Sequence, residues 1–219
     1  MTGHLRSRAA PSSLRRKENL AWAVGRIYMG WPTRLATRVR AYGVDNVPRV
    51  GGAVYAINHL HWIDIPLVGV VSPRNVWFVA KAEAANHRIA GWYLRLFGAI
   101  AIRRGESDRD AVRRMREEAR HGHVIGLFVE GTRQRSGRPG TAQPGAAMVA
   151  LQERVPVVPV AIYGTQFWRI GNFRRCSIAF GEPLTFDDLP RNGKGYKEAT
   201  AVIERRIHEL FAWLEREDR

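Results

Sequence analysis

From residue 52 onward the chain alternates short apolar runs with stretches whose apolar residues recur at helical spacing. The runs from Ala53 to Ile57, Val76 to Ala80, Ala99 to Ile102, Val124 to Val129, Val157 to Ile162 and Cys176 to Phe180 are short and rich in β-branched residues, so they predict strands. Ala111, Val112, Met115 and Ala119 share one helical face behind Ser107, a residue suited to capping a helix. Near the end, Ala199, Val202, Ile203, Ile207, Leu210, Phe211 and Leu214 repeat at about 3.6 residues and predict a helix that lays this stripe on the core. Such alternation predicts an α/β domain with a central mixed, largely parallel sheet flanked by helices. The sequence contains no internal repeat.

Upstream the pattern changes. Between Lys17 and about Tyr42, Leu20, Trp22, Val24, Ile27, Tyr28, Met29, Trp31, Leu35 and Val39 are interleaved with Arg26, Arg34, Arg38 and Arg40. This predicts one amphipathic helix, or two broken at Gly30 to Pro32, suited to the interfacial plane of an anionic bilayer with aromatics at headgroup level. Packing of the same helix on the core is the alternative. Residues 1–16 read as a disordered basic tail, 17–42 as the N-terminal helical segment at the membrane interface, and 43–219 as the folded domain. No Pro/Gly/Ser-rich linker divides the chain, and 219 residues suffice for one sizeable core.

Composition is globular, with 45% hydrophobic and 25% charged residues, which excludes wholesale disorder. The net charge of +15 calls for an anionic partner: a membrane surface, a phosphorylated substrate, an acidic carrier or nucleic acid. Residues 1–49 hold ten Lys or Arg against two acids, Glu18 and Asp45, and only Lys17, Lys81, Lys194 and Lys197 are lysines. The guanidinium fork that dominates this charge is suited to phosphate, although a general preference for Arg would give the same count. Cys176 is the single cysteine, which rules out an intrachain disulfide and a Cys-based zinc site and suits a small core residue. The first 19 residues are polar and basic, without an apolar signal core, so the chain is expected to stay in the cytosol. Its apolar runs are broken by Arg26, Asp64, Gly and Pro well short of the roughly 20 residues of a spanning helix. A peripheral or monotopic place on the cytoplasmic face of the membrane follows.

The first constellation with chemistry in it is Asn58-His59-Leu60-His61-Trp62-Ile63-Asp64, directly after a predicted strand. Open α/β sheets bind ligands beyond the carboxyl ends of their strands, which places His59 at a site mouth. A carboxylate five residues on can hold one ring nitrogen while the other takes a proton, giving an oriented base without a protein nucleophile. By itself the spacing is equally that of a structural His. His61 is expected to support or to lie at the surface, and Trp62 and Ile63 to pack.

Three more segments, in order, accompany it: Gly98-Ala99-Ile100-Ala101-Ile102-Arg103-Arg104, Phe128-Val129-Glu130-Gly131-Thr132-Arg133, and Val155-Pro156-Val157-Val158-Pro159-Val160. Together with Asn58, His59 and Asp64 they resemble the four ordered motifs of the glycerol-3-phosphate and 1-acylglycerol-3-phosphate acyltransferases, over roughly residues 50 to 165. Val129 stands where that family has Pro, and Arg103 where it often has an acid or amide. The resemblance implies that 43–219 is an acyltransferase domain with His59 and Asp64 catalytic. It also implies that Arg104, Glu130, Gly131, Thr132 and Arg133 bind substrate, with Arg104 rather than Arg103 joining Arg133 at the acceptor phosphate. Glu130 is expected to fix Arg133 or a substrate hydroxyl, Gly131 to permit a close backbone approach, and Thr132 to add a hydroxyl donor. Pro156 and Pro159 are expected to set an edge strand or a kink.

The implied reaction is direct transfer of a fatty acyl group from acyl-CoA or acyl-carrier protein to a hydroxyl of a phosphate-bearing lipid acceptor. The first choice is 1-acylglycerol 3-phosphate, giving phosphatidic acid; glycerol 3-phosphate, another lysophospholipid or a glycolipid are the alternatives. Neither metal nor cofactor is expected beyond the acyl donor as co-substrate, since no cluster has metal-ligand spacing. The rivals are a basic nucleic-acid-binding protein, for which no zinc-finger or RNA-recognition pattern is present, and an inactive lipid-binding relative. A serine hydrolase lacks its Gly-x-Ser-x-Gly elbow here, and no nucleic-acid partner is expected.

Overall fold

Every run expected to be a strand pairs into one sheet in the computed structural model, which describes residues 27, 28, 30–81, 100–102 and 108–218. In chain order the strands are β1 (Arg40–Tyr42), β2 (Ala53–Ile57), β3 (Val76–Lys81), β4 (Ile100–Ile102), β5 (Val124–Phe128), β6 (Val157–Tyr163) and β7 (Ser177–Phe180). The helices are α1 (30–37), α2 (Asp64–Val71), α3 (Asp108–Arg120), α4 (Gly145–Glu153) and α5 (Gly193–Glu217). The sheet order is β1-β7-β6-β2-β5-β3-β4. The five strands from β6 to β4 are mutually parallel; β7 runs antiparallel to β6, and β1 is parallel to β7.

Strand alternation splits the core. On β2, Ala53, Tyr55 and Ile57 face one side and pack with α2 and with Val158, Val160 and Ile162 of β6. Val54 and Ala56 face the other side, against Met115 and Ala119 of α3, the alanines of α4, and Ala199, Ile203 and Ile207 of α5. All five residues of β2 are buried, as a strand covered by helices on both faces requires. The C-terminal stripe behaves as expected: Ala199, Ile203, Ile207, Phe211 and Leu214 are buried, and Asn192 caps the helix by accepting from the N–H groups of Lys194 and Gly195.

Three local expectations are corrected. The helix expected to continue to about Tyr42 ends at Thr37, and Arg40–Tyr42 is a strand, because β7 offers it a backbone edge: Arg40 N–H donates to the Cys176 carbonyl at 3.0 Å. Pro159 is inside β6, an interior strand, and not at an edge. Its missing N–H costs nothing there because β7 leaves the ladder at that point, where Gly181 N–H donates to the Pro159 carbonyl. Helix α4 was not anticipated, since Ala146, Ala147, Val149, Ala150 and Leu151 are buried on nearly all sides and show no amphipathic period. The basic tail, the start of the N-terminal helical segment and the Ser107 cap lie outside the described residues.

Candidate active site

Parallel pairing of β2 with β5 aligns Ile57 with Phe128. Both strands then end, and counting two residues onward from each partner gives His59 and Glu130. The register thus sets side by side two residues separated by 71 positions: His59 N–H donates to Glu130 Oε2 at 2.8 Å. On its other side the His59 carbonyl accepts from Gln134 N–H at 2.8 Å. The His59 backbone is therefore held from both directions by the segment following β5.

Asn58 explains how the chain can leave the sheet here. Its side chain donates to the Ile162 carbonyl at 3.0 Å and accepts from Ile162 N–H at 2.7 Å, and it is fully buried. Once the β2 backbone turns away, the amide continues the ladder to β6 with a donor and an acceptor, a pair that a carboxylate cannot supply.

Asp64, the first residue of α2, is also fully buried. Its Oδ2 accepts from Leu60 N–H at 2.7 Å and His61 N–H at 2.8 Å, closing the segment into a turn, and lies 2.8 Å from Nδ1 of His59. An oxygen already accepting two N–H groups acts as acceptor toward the ring as well, so Nδ1 carries a proton, and in the neutral imidazole the lone pair is on Nε2. The ring stacks on Phe128, with centroids 4.0 Å apart and planes inclined by 24°. Orientation and tautomer of the imidazole are set from two sides, while the ring retains partial access to solvent.

Glu130 departs from the first of its two expected roles, fixing Arg133. Its carboxyl does not turn to Arg133: Oε2 accepts from His59 N–H, and Oε1 from Gly140 N–H at 3.1 Å. It clamps the turn that begins at His59 to the loop that follows β5. Burial pushes its pKa up to about 7, opposed by the N–H groups of Gly140 and His59 and reinforced by the charge of Asp64. Gly131 takes a left-handed backbone, φ 72°, which favours glycine, and no protein atom lies within 4 Å of where a Cβ would stand. Thr132 and Arg133 are exposed beyond that turn. Arg133 is close enough for its charge to act on His61, as Arg169 also does. Burial is the main influence lowering the His61 pKa; the charge of Asp64 opposes it, and these cations add to the lowering.

The described residues therefore bring together His59, Asp64, Glu130, Gly131, Thr132 and Arg133. Arg103 and Arg104 lie outside them. Sequence reasoning missed Phe128 as the ring's support, Gln134 and Gly140 as backbone partners, and Trp168, which meets His61 and Trp62 edge-on at centroid distances of 5.7 Å. Ile63 packs as expected, but Trp62 is half-exposed. Cys176 is buried, and burial pushes its thiol up to about 12, as a core residue and not a nucleophile requires. Among the described residues no group of three or more His, Cys, Asp or Glu side chains is placed to hold a metal. Likewise, no described helix is long and apolar enough to cross a membrane.

The arrangement is an oriented base at the carboxyl edge of a parallel sheet, beside cationic side chains. The family model described as Acyltransferase matches residues 38–163. The chain is 27% identical over 180 residues to a 1-acyl-sn-glycerol-3-phosphate acyltransferase of Bacillus subtilis, covering 78% of this chain and 87% of that protein. It is 34% identical over 110 residues to a lyso-ornithine lipid O-acyltransferase of Pseudomonas aeruginosa, covering 50% of this chain and 42% of that protein. In fold it is similar to the crystal structure of the 1-acyl-sn-glycerophosphate acyltransferase PlsC from Thermotoga maritima. That likeness has a TM-score of 0.67 at 24% identity and covers 93% of this chain and 84% of the other.

Proposed function

Since this chain belongs to the acyltransferase family and is an O-acyltransferase, we propose that it moves a fatty acyl group from a thioester donor, acyl-CoA or acyl-carrier protein, to 1-acylglycerol 3-phosphate. His59 Nε2 removes the proton of the acceptor hydroxyl as that oxygen attacks the thioester carbonyl carbon. Asp64 holds Nδ1–H and stabilises the imidazolium that forms. When the tetrahedral intermediate collapses, the C–S bond breaks and the imidazolium returns its proton to the leaving thiolate. No acyl-enzyme is formed, because the nucleophile belongs to the substrate. Arg133, with Arg104, binds the acceptor phosphate through charge-assisted bonds.

The observation that supports this reading most is the 2.8 Å contact of Nδ1 with a fully buried carboxylate, which leaves Nε2 as a base. Ile27, Tyr28, Trp31 and Leu35 support a membrane setting. They recur at helical spacing and are exposed, Trp31 at 73%, whereas Thr33 and Thr37 face the protein. We read this face as lying in the cytoplasmic surface of an anionic bilayer. The similarity to a lyso-ornithine lipid acyltransferase favours a second acceptor class without phosphate.

The test is to incubate purified protein with acyl-CoA, or with acyl-carrier protein thioester, and a panel of acceptors, and to identify products by mass spectrometry. Phosphatidic acid from 1-acylglycerol 3-phosphate is the expected product. Acylation of phosphate-free lipids alone would move the assignment to the second class, and free fatty acid without any acylated product would sink it.

A further inference from the structure

The connection from β6 to β7 runs through a turn of 3-10 helix (Thr165–Phe167) to Cys176, on the side of the sheet where β2 and β5 also end. It is well built at its root and apolar at its tip. Trp168 is buried and its indole N–H donates to the Ala36 carbonyl of α1 at 2.9 Å, while Cys176 N–H donates to the Thr37 carbonyl at 2.8 Å. Asn172 ties the tip together: its Nδ2 donates to the Phe167 carbonyl at 3.0 Å, and its Oδ1 accepts from Arg174 N–H at 3.1 Å. Nevertheless Phe167, Ile170 and Phe173 are exposed, Ile170 at 87%. Phe173 also occupies the left-handed region, φ 45°, which is strained for a bulky side chain.

Such a tip gains nothing from facing water. Its flanking charges are all cationic: Arg169, Arg174 and Arg175 are exposed, and the Arg174 guanidinium sits 4.8 Å from the centre of the Phe167 ring. Aromatic and aliphatic groups interleaved with arginines match the boundary between acyl chains and anionic headgroups. Trp168 makes this surface continuous with two others. Through Ala36 it joins α1 and the exposed stripe of Trp31 and Leu35, and through Trp62 and His61 it joins the catalytic turn.

The geometry points to the 167–175 loop as a second bilayer-contact element, which inserts Phe167, Ile170 and Phe173 beside the mouth of the site and presents its arginines to anionic headgroups. Together with α1 it holds the carboxyl edge of the sheet against the membrane, so that a lipid acceptor reaches His59 without first entering water. This inference rests on the reading of the acceptor as a membrane lipid.

Full-length Ile170→Cys protein, labelled with an environment-sensitive fluorophore, tests it directly, because Cys176 is buried and does not compete for the label. With vesicles of phosphatidylcholine mixed with phosphatidylglycerol, the emission is expected to shift to the blue and to be quenched by brominated acyl chains. Phosphatidylcholine alone is expected to give a weaker response. The double variant Ile170→Ser, Phe173→Ser is expected to partition into the mixed vesicles on the order of tenfold less well in flotation, whereas Val50→Ser, an exposed apolar residue before β2, is expected to leave partitioning unchanged. A silent label on vesicle-bound protein, or a double variant that floats like the parent, overturns the proposal. An inserted label on protein that acylates no lipid leaves the loop standing and sinks the enzymatic reading; acyl transfer with a silent label does the reverse.

Discussion

The backbone N–H of His59 donates to the side chain of Glu130, 71 positions later, at 2.8 Å. The contact joins the two motifs at the level of the main chain. Glu130 thereby acts on the turn that carries His59 and, through Gly140, on the loop beyond Gly131.

Replacing His59 by Ala is expected to lower turnover on the order of 10³-fold while the fold persists, since the ring is partly exposed and its backbone bonds are retained. Asp64→Asn is expected to lower kcat with little change in KM for the acceptor, because an amide cannot stabilise the imidazolium. Steady-state kinetics with a circular dichroism control check both. A folded His59→Ala protein with near-normal turnover refutes the role.

Glu130 gives a pH prediction. Its folded pKa, about 7, is above the 4.5 of the free side chain, so the folded state binds more protons between those values. Its contribution to stability is complete below about pH 4.5 and is lost as pH rises through about 7, by at most roughly 3 kcal/mol. Thermal unfolding of the parent and Glu130→Gln from pH 4.5 to 8 should show this component of the slope in the parent and not in the variant. Identical slopes exclude it.

Arg133→Ala is expected to raise KM for a phosphate-bearing acceptor by about tenfold to a hundredfold, with a small effect on KM for the acyl donor. A phosphate-free acceptor should show no such increase. Equal effects on both acceptors would mean that Arg133 does not meet the phosphate.

Asn58→Asp removes the donor to Ile162 and introduces a buried charge facing a carbonyl. A loss of about 3 kcal/mol in denaturant unfolding is expected. An unchanged midpoint would show that the amide is not needed to continue the ladder.

Much of this protein was legible one residue at a time. Six strands and the helix stripe ending at Leu214 follow from apolar spacing, because a pleated strand and a 3.6-residue helix leave different periodic traces. The His59–Asp64 contact is local, within five residues, and so could be expected from spacing alone.

What stayed hidden involves partners distant in the chain or surroundings that erase the period. β1 is three residues long and is a strand only because β7 supplies its hydrogen bonds; by composition it reads as the end of a basic helix. Helix α4 is wrapped on nearly all sides, so it carries no polar face to read. The role of Glu130 could not be deduced from its neighbours, since Arg133 is close in sequence while the N–H that claims the carboxylate belongs to another strand's end. Sequence by itself determined the elements that carry a periodic trace and the types of side chain available at the site, because both depend on side-chain identity and local spacing. Tertiary structure decided which of those groups meet and what each is bound to, because register between strands β2 and β5 is a property of two segments paired in space and of neither alone.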